Sequence, residues 1–158
     1  TYRETPLLFQ RRGPRFERLS PDTAGAWLGA AHVDRSAAFG DLDGDGDIDI
    51  VVGELNGPVR ILRNDAQGGH WLIVELADAR SGQKNRRGLG AKVELKCGGE
   101  TQTRWLFTGG SFQSTSAPYV HFGLREKAPC ALDIVWPDGT RQHVSDVAPD
   151  QRRIVRRE

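Results

Sequence analysis

The stretch Asp41-Leu42-Asp43-Gly44-Asp45-Gly46-Asp47-Ile48-Asp49 decides the fold of this chain. Five aspartates alternate along it, and carboxylates this close repel one another unless positive charge lies among them. Oxygen donors at loop positions 1, 3, 5 and 9, with glycine at position 6, suit a hard cation of calcium's size. Asp41, Asp43, Asp45 and Asp49 would supply carboxylates and Asp47 its backbone carbonyl, while Gly46 permits the sharp turn. Magnesium fits less well because it keeps its waters and demands a stricter octahedron. The plainer alternative is a solvated acidic turn. An EF-hand would need a glutamate at position 12, where Val52 stands, and helices on both sides. The flanks instead read as strands: Ser36–Gly40 leads in and the β-branched run Ile48–Gly53 leads out.

Phe39-Gly40, the Asp-x-Asp-x-Asp-Gly-x-x-Asp run, Val52-Gly53 and Asn56-Gly57-Pro58 together resemble an FG-GAP (VCBS-type) repeat. The resemblance implies a blade of an integrin-like β-propeller with calcium in its hairpin. The calcium role then falls on the side chains of Asp41, Asp43, Asp45 and Asp49 and on the Asp47 carbonyl. Upstream, Pro6–Gln10, a two-arginine turn ending in Gly13-Pro14, and Arg15–Leu19 read as a hairpin. Ser20-Pro21-Asp22 opens a turn or short helical stretch through Trp27, interrupted by Gly25 and Gly29. Val59–Arg63 is a further strand, and Asn64–Gly69 a turn or linker that sets a domain boundary, giving 1–68 and 69–158.

From residue 70 onward the pattern is strand and turn. His70–Leu76 is largely apolar; Ala91–Lys96 alternates, with Ala91, Val93 and Leu95 inward. Thr101–Phe107 follows the Gly98-Gly99 turn, then Tyr119–Phe122, Leu132–Trp136, Thr140–Val147 after the Pro137-Asp138-Gly139 turn, and Arg153–Val155. Short strands at this spacing predict an antiparallel sandwich or barrel. Gly69–Leu72, Gly88–Val93, Gly109–Ser114, His121–Leu124 and Val135–Gly139 resemble the ASPIC/UnbV domain of cartilage acidic protein-like and enediyne-cluster proteins. In that family the domain follows an FG-GAP-type propeller. The expected fold is therefore all-β: a terminal propeller-type blade with a calcium hairpin, plus a C-terminal antiparallel β-sandwich.

The 158 residues carry a net charge of +1, so no nucleic-acid partner is expected. No apolar run reaches membrane-spanning length. The chain has no methionine and no signal peptide, which suggests a piece of something longer lacking upstream propeller repeats. Cys97 and Cys130 lie at strand ends, where either a disulfide or two thiols would fit. Gly88-Leu89-Gly90 precedes a strand and reads as a turn. Ser111, Phe112, Gln113 and Ser114 sit in a small, polar stretch that reads as a ligand loop or a hydrogen-bonded crossover. His32, His70, His121 and His143 show no metal-ligand spacing, and the Arg-Arg pairs are scattered. No catalytic constellation stands out. The expected function is a calcium-stabilised, secreted or extracytoplasmic module binding a protein or glycan. The alternative is an enzyme or accessory subunit of a biosynthetic pathway that uses the metal site, with the Asp47 side chain as base.

Overall fold

In the computed structural model, which describes residues 2–66 and 68–158, the chain is mostly β. Gln67, within the expected linker, lies outside the described residues. Strands β1 (Phe9–Arg12) and β2 (Arg15–Arg18) form the expected hairpin, with Arg12 opposite Arg15 across Gly13-Pro14. The short helix α1 (Pro21–Ala24) begins on proline, whose fixed φ suits a first turn, and ends at Gly25. A 3-10 turn at Ala26–Gly29 then buries Leu28.

Strands β3 (Asp34–Gly40), β4 (Asp49–Glu54) and β5 (Val59–Leu62) make an antiparallel sheet in that order, with the acidic loop joining β3 to β4. The remaining strands build two sheets. One has the order β11 (Arg141–Val147), β10 (Cys130–Val135), β7 (Lys92–Cys97), β8 (Glu100–Trp105). The other has the order β12 (Gln151–Arg157), β6 (His70–Asp78), β9 (Val120–Leu124). Alternate residues of both sheets meet in one core: Leu72 and Val74 from β6, Val93 and Leu95 from β7, Phe122 from β9, Leu132 and Ile134 from β10. Ala91, Val93 and Leu95 all point inward as their alternation predicts. Each buried valine, leucine or isoleucine among them contributes roughly 1.5–3 kcal/mol when fully buried.

Glutamine amides tie the two sheets at both margins. Gln102 of β8 donates to the Gly123 carbonyl of β9 (2.8 Å), and Gln142 of β11 donates to the Arg156 carbonyl of β12 (3.0 Å). The Gln142 oxygen also accepts the indole N–H of buried Trp136 (3.0 Å). None of the sheets closes into a barrel among the described residues. Cys97 and Cys130, directly opposite in the β7–β10 register, form a disulfide.

One expectation needs correction. The strands are not all antiparallel, because β12 runs parallel to β6. After β11 the chain crosses between sheets, and Asp150, at φ 58, docks where β6 begins: its N–H donates to the Trp71 carbonyl (2.7 Å). From there β12 can only run alongside β6 in the same direction. In-and-out alternation is the same for either direction, so the sequence pattern could not reveal this.

Candidate metal centre

The loop between β3 and β4 turns on Gly44 (φ 82) and Gly46 (φ 96), a left-handed backbone that other residues rarely adopt. Within it the carboxylates first serve their own backbone. Asp41 Oδ1 accepts the Gly44 N–H (2.7 Å), and Asp45 Oδ1 accepts the Asp47 N–H (2.9 Å). Asp49 is 1% exposed, and its two oxygens accept the N–H groups of Leu42 and Asn64, both at 2.8 Å. Asp49 thereby ties the loop to the chain leaving β5.

Asp41, Asp43 and Asp49 bring carboxylate oxygens within 4.8 Å of one another. At about that separation each pair repels by roughly 1 kcal/mol in water and about 3 kcal/mol at an effective dielectric of 20. The N–H donors and the Arg63 guanidinium, 4.0 Å from Asp43, offset part of this. An all-oxygen donor set of this kind fits a hard divalent cation. The side chains of Asp45 and Asp47 stand outside the triad. Burial, and next the neighbouring Asp45 charge, push the Asp47 carboxyl above the usual aspartate range.

The loop does not stand free. The indole of Trp71 covers Gly46 so closely that a Cβ there would lie 1.9 Å from a ring carbon. The Gly46 carbonyl accepts His121 Nε2–H (2.8 Å), which fixes that tautomer. Burial holds the His121 pKa below its usual value, although the Gly46 bond opposes it. The Asp41 N–H donates to the Tyr119 hydroxyl in a short bond, and Arg152 lies over the Tyr119 ring at 5.0 Å. Trp71, Tyr119 and His121 belong to or adjoin β6 and β9, so the acidic hairpin rests on the outer face of the β12–β6–β9 sheet.

A second contact runs along the edge of β3. The Ala37 N–H donates to Ser111 Oγ (2.9 Å), and the Ser114 hydroxyl donates to the Ala37 carbonyl (2.6 Å). Farther along, the Phe39 N–H donates to Ser116 Oγ (3.2 Å), and the Ala117 N–H donates to the Phe39 carbonyl (3.0 Å). Within the stretch expected as a ligand loop, Ser111 and Ser114 thus satisfy the backbone of β3. Phe112 stays exposed beneath Arg35 (5.7 Å), and Gln113 adopts φ 52.

Spacing in the sequence gives no hint of Trp71, Tyr119 or His121 as the loop's seat. One signal was present. His70-Trp71-Leu72-Ile73-Val74 does not alternate, and a strand apolar on both parities is buried on both faces. Ile73, on the parity opposite Leu72, is 0% exposed.

Residues 81–158 match the family model described as ASPIC and UnbV, which detects such a domain there. The match begins after β6, although β6 is the central strand of its sheet and supplies part of the same core. A search among curated proteins finds no match.

Proposed function

We propose that the chain is a recognition module whose acidic hairpin holds a structural calcium ion. The observation that carries this reading is the Asp41–Asp43–Asp49 triad seated on Trp71, Tyr119 and His121. Calcium there would offset the carboxylate repulsion and stiffen the loop against the neighbouring sheet, joining two regions that are distant in sequence. Asp41, Asp43 and Asp49 would hold it by side chains and Asp47 by its carbonyl, with Asp45 available if it leaves the Asp47 N–H. In this reading residues 1–68 form a terminal FG-GAP-type propeller blade and 69–158 an ASPIC/UnbV β-sandwich. The Cys97–Cys130 disulfide supports a secreted or extracytoplasmic setting. The partner would be a protein or glycan.

The test is thermal unfolding in chelator, magnesium and calcium, with Asp43→Ala beside the wild type. Asp43 suits this because no backbone N–H bonds to it among the described residues, whereas Asp49 holds Leu42 and Asn64. A rise in melting temperature specific to calcium and absent from Asp43→Ala is expected. An identical melt in chelator and calcium would overturn the proposal.

A second reading has one observation in its favour. A cavity of about 230 Å³ beside the loop is lined by Asp47, His70, Trp71, His121 and Arg125 among others, and Asp150 orients His70 through Nδ1 (2.9 Å). An enzyme or accessory subunit would need a metal position open to such a cavity, with Asp47 as base. A crystal structure of the calcium-loaded protein decides between them. Coordination completed by protein oxygens alone ends the enzymatic reading, and a metal-bound water on the cavity side sustains it.

A further inference from the structure

The outer face of the β11–β10–β7–β8 sheet is turned away from both the core and the acidic hairpin. Strand alternation places Thr103 and Trp105 of β8 on it, since Gln102 and Arg104 point the other way, toward Gly123 and Phe122. Trp105 is 60% exposed, and Phe107, on the same parity, is 64% exposed. Beside Phe107, Leu106 is bonded to Gly90 and Ala91: the Gly90 N–H donates to the Leu106 carbonyl (2.7 Å) and the Leu106 N–H to the Ala91 carbonyl (2.8 Å). Trp105 and Phe107, two residues apart, expose two aromatic side chains to water together, unlike scattered apolar residues, which need no explanation.

The next row across the sheet is polar. Thr103 lies opposite Glu94, Glu94 opposite Asp133, and Asp133 opposite His143. Its charges are matched locally. Lys96 lies 2.8 Å from Asp133 and 3.7 Å from Glu94, Lys92 lies 3.6 Å from Glu94, and His143 lies 2.7 Å from Asp133. With Arg141, opposite outward-facing Val135, the face carries Lys92, Lys96 and Arg141 against Glu94 and Asp133, a balance close enough to neutral to give a polyanion only weak attraction. Those carboxylates still have lone pairs free to accept hydroxyl hydrogens. Aromatic planes beside fixed acceptors therefore fit a ligand with apolar C–H faces and hydroxyl edges.

We propose that this sheet face binds a neutral oligosaccharide, with Trp105 and Phe107 stacking on sugar rings and Thr103, Glu94 and Asp133 bonding hydroxyls. Three inter-strand steps separate β8 from β11, about 14 Å at the usual strand spacing, which is room for an oligosaccharide rather than one sugar. The inference rests on the binding-module reading and gives it a ligand class and a location away from the 111–114 loop.

The test titrates the calcium-loaded full chain with neutral hexaoses of β-1,4-linked glucose, N-acetylglucosamine, xylose and mannose, and separately with heparin. Calorimetry and tryptophan fluorescence report binding. At least one neutral hexaose is expected to bind, with Trp105→Ala and Phe107→Ala each weakening it at least tenfold. Phe16→Ala, on the exposed β1–β2 hairpin, should leave it unchanged. Preserved melting curves of the exposed-site variants guard against misfolding. Binding of heparin alone, or of a hexaose with undiminished affinity by Trp105→Ala, overturns the proposal. So does self-association that Trp105→Ala abolishes, which would assign the face to a second copy of the chain. If no neutral hexaose binds while calcium still raises the melting temperature, the glycan inference falls and the cation reading stands. If calcium also has no effect, both fall.

Discussion

The two parts of this molecule are held together by different means. In the β6–β12 region, apolar side chains from two sheets interlock in one core. Among the described residues of the β3–β5 sheet, Val52 alone is a buried hydrophobic residue, while Val59 and Ile61 of β5 are 67% and 65% exposed. That sheet instead leans on polar geometry: a carboxylate loop, hydroxyl contacts along β3, and an aromatic seat lent by the other region. A region with little core of its own responds strongly to its docking contacts and weakly to single apolar truncations. A region with a shared core responds the other way.

Truncating the core should give the largest effect. Trp136 is 2% exposed and its indole N–H is bonded to Gln142, so Trp136→Ala is expected to cost about 3–5 kcal/mol, read from urea unfolding. Val59→Ala in the exposed β5 should change stability by less than about 0.5 kcal/mol; comparable losses at both positions would break the contrast.

Next comes the disulfide, which belongs to the core region alone. The bond spans 33 residues, and for a loop of that order the chain-entropy argument gives about 3–4 kcal/mol. Cys97→Ala/Cys130→Ala should lower the denaturant midpoint of the β6–β12 core accordingly, while a calcium response, if present, survives in the folded fraction.

The docking of the acidic hairpin is tested by Gly46→Ala. The new methyl must displace the Trp71 ring and sit at φ 96, a combined overpacking and backbone penalty of about 1–3 kcal/mol. Trp71→Ala in the same chain relieves the clash but not the backbone strain. A double-mutant cycle should therefore show coupling above about 0.5 kcal/mol, and strict additivity would mean the two residues do not meet.

The smallest effect concerns pH. Hydrogen bonds from Lys96, then His143, hold the Asp133 carboxyl below its ordinary value of 3.8. The Thr140 hydroxyl, with Arg80 nearby, does the same for Asp138. Carboxyls depressed on folding add stability that is whole above the ordinary value and is lost as pH falls through the folded-state values. A shallow loss of stability is thus expected on acidification below 3.8, flatter in Asp133→Asn/Asp138→Asn. Because both groups are exposed, 1 M salt should largely erase the difference.

The strands were readable because burial imposes a period of two wherever one face meets a core, as in Ala91–Lys96 and Leu132–Trp136. The β1–β2 hairpin and the acidic turn were equally plain, since glycine, proline and aspartate at fixed offsets constrain the backbone locally. Less visible was how the two regions meet. Ser111 and Ser114 gave no sign that they would bond to β3, because a hydroxyl's partner more than 70 residues away leaves no mark on local spacing.

The sequence by itself determined the local chemistry: which segments extend, where the chain turns, and that five carboxylates crowd one loop. These follow from side-chain period, backbone freedom and charge, all properties of near neighbours. Tertiary structure alone decided the direction of β12, the pairing of Cys97 with Cys130, and the placing of Trp71, Tyr119 and His121 beneath the acidic loop. Each of these joins residues distant along the chain, and only the packing of sheets around a common core brings such residues together.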